Sequence, residues 1–156
     1  MVVLLVLLEY TSALGSAINE TKKKQIVVIK TENDKKKSAI FQICKDEYLS
    51  VVFANSKYPY LLTAIAKVES DFRPQIVGDG GKSYGMYQIQ SKHWGYVPES
   101  VEGQTRKAEQ VISHLIQKHG LRRGITAYNG SGKQASQYTD KVLRVVRELH
   151  QIERRV

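Results

Sequence analysis

One stretch constrains this chain more than any other. Residues 60–90 read YLLTAIAKVESDFRPQIVGDGGKSYGMYQIQ. An apolar helical pattern runs up to a single acid, Glu69. A polar, glycine-rich loop follows, and then an apolar run that reads as extended, Gly85-Met86-Tyr87-Gln88-Ile89-Gln90. A carboxylate at the end of a buried helix, facing an irregular loop, is placed to hold its proton near neutral pH. A lone Glu on a helix is more often a solvated surface residue. Glu69, however, directly follows Val68 and lies four residues after Ile65, so it flanks the apolar face.

The elements around this stretch read as helices. Leu61, Leu62, Ile65 and Val68 form the buried face of a helix with Ser56 as its N-cap and Pro59 in its first turn. That helix ends near Ser70 and Asp71, because Pro74 disfavours helical geometry at Arg73. Residues 38–54 carry apolar residues at helical spacing. Residues 91–103 form a loop holding the lone tryptophan, Trp94. Residues 105–119 place Ala108, Val111, Ile112, Leu115 and Ile116 on one face, and Gly120 stops the helix. Residues 121–128 form a short helical piece ended by Asn129-Gly130-Ser131-Gly132. Residues 134–154 carry the stripe Tyr138, Val142, Val145, Val146, Leu149 and Ile152. The expected fold is mainly α: a helical domain over 38–156, with a small irregular or β segment around 76–90 that forms a cleft.

The N-terminus differs in kind. Residues 1–17 resemble a secretory signal peptide, with an apolar run Val2 to Leu8 and small residues Gly15-Ser16-Ala17, although no Lys or Arg precedes the run and Glu9 directly follows it. The run is too short to span a bilayer, which takes ~20 apolar residues; a buried first strand is the alternative. Residues 18–37 read as a lysine-rich arm. The chain has 24 Lys and Arg against 15 Asp and Glu, a net charge of +9. That favours anionic surfaces, yet no aromatic-interleaved basic motif points to nucleic acid. The single cysteine, Cys44, falls on an apolar stripe and forms no intrachain disulfide. The scattered His93, His114, His119 and His150 have no zinc-ligand spacing, so neither a metal nor a cofactor is expected.

Four blocks in order give a family resemblance. Ala66-Lys67-Val68-Glu69-Ser70 with Pro74 resembles the E-S…P start of the soluble lytic transglycosylase domain. Gly85-Met86-Tyr87-Gln88-Ile89 resembles its G-L-M-Q-I segment, Ala127-Tyr128-Asn129-Gly130 its A-Y-N-A-G segment, and Tyr138 with Lys141-Val142 its late Y…K-V. Each block is weak alone; the ordered set is specific. Gly78-Asp79-Gly80-Gly81, with residues 124–129, is also similar to goose-type lysozyme, which shares the fold.

The resemblance implies a lysozyme-like α fold acting on peptidoglycan glycan strands, at the β-1,4 bond between N-acetylmuramic acid and N-acetylglucosamine. Carried over residue by residue, Glu69 is the acid that protonates the leaving oxygen and then the base for the incoming hydroxyl. Gln88 and the backbone of Gly85, Met86 and Tyr87 line the cleft. Tyr128 and Asn129 face it near Glu69, and Tyr138 supports Glu69 from the last helix, a role compatible with being a core tyrosine.

Whether a second carboxylate takes part decides the reaction. Hydrolysis needs one; lytic transglycosylases use the substrate's own 6-hydroxyl, already tethered beside the anomeric carbon. Asp79 stands where goose-type enzymes carry a water-positioning aspartate, and it equally suits a turn. A second goose-type aspartate falls on Gln90 here. The serine of the bacterial pattern is missing near Gly78, and Ser83 is the hydroxyl that stands in for it. Tyr87 replaces an apolar residue of the pattern, which is expected to change the cleft's lining. Trp94 and Tyr96 suit sugar stacking, and Trp94 suits a loop anchor. A wall-binding module with a dead cleft, in a secretion or conjugation machine or a phage particle, is the reading from another class. The expected state is a monomer, exported if residues 1–17 are a signal peptide and otherwise associated with a phage particle.

Overall fold

The computed structural model describes residues 48–155. The expectations for the signal peptide, the lysine-rich arm and Cys44 lie outside the described residues, as does most of the helix expected over 38–54. Its last part is α1 (Leu49–Asn55), with Leu49 and Val52 buried.

At the centre lies α2 (Pro59–Ser70). Pro59 opens it where no intrahelical N–H is needed. Leu62, Ala64, Ile65 and Ala66 are all fully buried, and so is Thr63. A helix buried over most of its circumference is a core helix, which explains why its pattern reads more apolar than a surface stripe. Ser56 does not cap it: the N-cap is Tyr58, whose N–H donates to Ser56 Oγ at 2.9 Å, so the serine closes the turn before the helix.

A three-stranded antiparallel sheet follows: β1 (Val77–Gly78), β2 (Ser83–Tyr84) and β3 (Ile89–Gln90). Its register aligns Val77 with Tyr84 and Ile89, and Gly78 with Ser83 and Gln90. The run expected to be extended from Gly85 is therefore extended only at its end. The chain must reverse between β2 and β3, and it does so with Gly85 at φ 74° and Gln88 at φ 47°, closed by Gln88 N–H donating to Gly85 O at 3.1 Å.

The expected loop over 91–103 contains a short helix, α3 (Ser91–Trp94), and the start of the next one. α4 (Val101–His119) begins four residues before its expected start, with Ser100 Oγ accepting from Gly103 N–H. Gly103 sits inside the first turn because a Cβ there would meet Pro98 Cβ at 2.5 Å. α5 (Leu121–Asn129) doubles back on α4, and the two approach closely at Gly124, where a Cβ would lie 2.9 Å from the Ile116 backbone. α6 (Gly132–Arg155) lays Tyr138, Val142 and Leu149 into the core against α2.

Candidate active site

The site is built from the end of α2. The helix stops because Asp71 takes the left-handed conformation (φ 54°, ψ 45°), and the N–H groups of Asp71 and Phe72 turn back to Lys67 O and Ala66 O. Phe72 also has a positive φ, 63°, and its ring is buried. Burial of that ring offsets the cost of a left-handed non-glycine residue, of order 1–2 kcal/mol. Glu69 is thereby left half-buried in the last turn of the helix, opening onto a cleft of about 690 Å³.

The next residue locks the cleft wall to the helix. Ser70 Oγ donates to Met86 O at 2.8 Å and accepts from Arg73 N–H at 3.0 Å. On the other side of that wall stands Gln104, a buried amide on α4. Its Oε1 accepts from Met86 N–H at 2.7 Å, and its Nε2 donates to Pro74 O and Glu99 O at 2.9 and 3.1 Å. Gly85 passes so close that a Cβ would meet Gln104 Oε1 at 2.4 Å.

The expected site residues divide into two groups. Glu69, Asp79, Ser83, Gln88, Tyr128 and Asn129 all line the one cleft. Met86 and Tyr87 do not: both are fully buried behind its wall, and Gly85 opens to the far side of the sheet. Tyr87 does not alter the cleft's lining. Its hydroxyl lies 3.1 Å from Thr105 Oγ1 in the core, and its carbonyl accepts from Tyr128 O–H at 2.8 Å. The turn geometry forced by Gly85 and Gln88 rotates these side chains inward. Tyr138 is buried beneath Glu69. Trp94 lines the cleft and packs edge-on against His114, with ring centroids 5.8 Å apart; Tyr96 is elsewhere.

Asp79 is positioned by more than its turn. It has φ 50°, and its Oδ2 accepts from Ser83 Oγ at 2.5 Å and from Gln90 Nε2 at 3.4 Å. Gln90, expected to stand at the position of a second goose-type aspartate, is a donor to Asp79. Gln88 Nε2 donates to Gly85 O at 2.9 Å, and its Oε1 fills the space a Cβ at Gly78 would need.

Electrostatics single out Glu69. Burial is the main cause that pushes its carboxyl from 4.5 up to about 7. The Tyr138 hydroxyl opposes the rise and the Asp79 charge adds to it. Tyr138 Oη has no partner at full hydrogen-bond geometry, so it acts on Glu69 as a near neighbour rather than through a tight bond. Burial, reinforced by the Glu69 charge, pushes Tyr128 and Tyr138 well up, keeping both as neutral phenols. Among the described residues no three His, Cys, Asp or Glu side chains cluster to hold a metal ion.

The site is thus a half-buried acid, raised to about 7 by burial, on a cleft walled by a small sheet and bordered by Tyr128 and Asn129. The family model described as the transglycosylase SLT domain matches residues 53–142. The chain belongs to the transglycosylase SLT domain family. The match begins in α1 and ends at Val142 on α6, so it spans both halves of the cleft. Membership carries the lysozyme-like fold and a peptidoglycan-directed, transglycosylase-type function. No curated protein and no solved structure matches the chain.

The cleft of the SLT domain also depends on residues outside the four motifs. Gln104 is the main one. Its signal is positional: it lies four residues before Ala108, on the same stripe as Val111, Ile112 and Leu115. A polar residue on such a stripe is expected to be buried and fully hydrogen-bonded. His93, on the cleft rim, carries no comparable signal.

Proposed function

We propose that the protein is a peptidoglycan lytic transglycosylase with Glu69 as its single general acid and base. The observation that carries this reading is the placement of Glu69: a largely buried carboxyl in the last turn of α2 that lines the cleft, where burial pushes its pKa up to about 7 and suits it to give and take a proton near neutral pH. Glu69 protonates the glycosidic oxygen as the bond from the N-acetylmuramoyl anomeric carbon breaks. The 6-hydroxyl of the same sugar attacks that carbon and passes its proton to the Glu69 carboxylate. The product carries a 1,6-anhydro ring, and no water is consumed.

Asp79 favours a second reading, hydrolysis. It lines the same cleft as Glu69 and has an oriented carboxylate, which suits a base that activates water. The two readings differ in what Asp79→Asn does. A hydrolase loses activity by about a hundredfold or more, whereas a transglycosylase keeps most of it. The shared claim is tested by turbidity of purified peptidoglycan: the parent clears it and Glu69→Gln does not. A parent that binds without clearing indicates a wall-binding module instead. The substrate's location outside the cytoplasm supports export, or delivery by a phage particle, as the route by which the protein reaches it.

A further inference from the structure

The sheet that walls the cleft has a second face. Gly78 and Ser83 line the cleft, while their neighbours Val77 and Tyr84 line a separate groove of about 460 Å³. Its far bank is the segment carrying Tyr96 and Pro98.

Among the described residues the exposed large apolar side chains are Val77, Tyr84, Tyr96 and Leu121, and three of these four border this groove. Tyr96 is 76% exposed, Val77 56% and Tyr84 37%. Clustering of this kind marks an interaction site more than scattered exposure does. The Tyr84 ring is also held in place, since its hydroxyl donates to Gly81 O at 2.5 Å.

Charge and polarity narrow the occupant. Although the chain carries a net charge of +9, among the described residues no Lys or Arg lines the groove, and Glu99 is the one carboxylate there. A polyanion is therefore disfavoured. The Gln104 amide is already satisfied by Met86, Pro74 and Glu99, which leaves the exposed side chains of Gln75 and Glu99 as acceptors in the same groove as the aromatic rings. Ring faces beside hydrogen-bond acceptors match a pyranose, which offers a C–H face to the ring and hydroxyl or amide donors to the acceptors.

We propose that the groove bounded by Val77, Tyr84 and Tyr96 is a second saccharide-binding site, taking a neutral N-acetylglucosamine unit of the peptidoglycan glycan. It would hold the domain on the wall mesh while the cleft engages a strand. The inference rests on the family's substrate and is independent of the reaction catalysed in the cleft.

The test uses full-length protein carrying Glu69→Gln, so binding is read without cleavage. An N-acetylglucosamine tetramer is titrated while backbone and aromatic NMR resonances are followed. Co-sedimentation with purified sacculi is measured for this protein and for the same chain with Val77→Ser and Tyr96→Ala. Both replaced side chains are more than half exposed, so the fold is kept. The proposal expects resonance changes at Tyr84 and Tyr96, in addition to any in the cleft, and weaker sacculus binding by about fivefold or more in the variant. Changes confined to cleft residues, with unchanged sedimentation, overturn it. Sedimentation velocity on the same pair gives the other contrary outcome: concentration-dependent dimers of the parent that the variant loses would mean a second copy covers the groove. Loss of the cleavage reading alone would leave the binding result standing.

Discussion

Glu69 owes its chemistry to where α2 stops. The last turn of α2 holds its carboxyl largely buried at the edge of the cleft, and that burial is what raises its pKa. The sign of its effect on stability follows. The folded protein holds the Glu69 proton up to about pH 7, whereas the unfolded chain releases it near 4.5. Between those values the native state binds more protons, so the contribution of Glu69 to stability falls as pH rises and is least favourable above 7. Glu69→Gln is thus expected to be more stable than the parent at pH 8, by no more than about 3 kcal/mol and less with solvent screening, and equally stable at pH 4. Urea midpoints at the two pH values check this. The neighbours pull in opposite directions. Tyr138→Phe removes a group that favours the Glu69 anion, so the alkaline limb of the pH–rate profile moves to higher pH. Asp79→Asn removes a charge that disfavours it, and the limb moves lower. Because the Tyr138 hydroxyl lacks a full hydrogen-bond partner, Tyr138→Phe leaves stability within about 1 kcal/mol of the parent or raises it. Matched pH–rate profiles and urea melts separate these electrostatic effects from damage to the fold.

At the scale of elements, the cleft wall is a set of turns held by two polar side chains, Ser70 and Gln104. Gln104→Leu leaves Met86 N–H, Pro74 O and Glu99 O without their partner and is expected to destabilise by about 2–4 kcal/mol. Gly85→Ala faces both a positive φ and a contact at 2.4 Å, and its expected cost is about 2 kcal/mol or more. Denaturant melts check both, with cleft binding lost in parallel. The same contrast explains what the sequence made legible. The helices announce themselves by apolar spacing, and their C-terminal stops at Ser70, His119 and Asn129 fall within a residue of where Pro74, Gly120 and Gly130 put them. The turn over 85–88 stayed hidden because its apolar residues fit a strand equally well, and only the long-range bonds from Ser70 and Gln104 make it a turn. The α4 start stayed hidden because Gly103 reads as a breaker until Pro98 is seen packed against it. Glu69, Gln88, Tyr128 and Asn129 were legible through their ordered motifs. The bonds from Ser83 and Gln90 to Asp79 were not, since they depend on strand register.

At the scale of the molecule, two halves of the chain make one site. α2 and the sheet region supply Glu69 and Asp79, α5 adds Tyr128 and Asn129 to the cleft lining, and α6 sets the buried Tyr138 against Glu69. The excess of basic side chains adds a longer-range attraction to anionic wall material. Binding to whole sacculi is expected to weaken as salt rises from about 0.05 to 0.5 M, while turnover of short neutral oligosaccharides changes little; co-sedimentation and product assays over that range test it. The central claim, that Glu69 alone performs the acid and base steps on a substrate that supplies its own nucleophile, is tested most directly by the masses of the muropeptides released from purified peptidoglycan. The account predicts 1,6-anhydro ends, lighter by a water than hydrolysed ends, from the parent, and no release from Glu69→Gln. Predominantly hydrated reducing ends, or muropeptide release by Glu69→Gln, would contradict it.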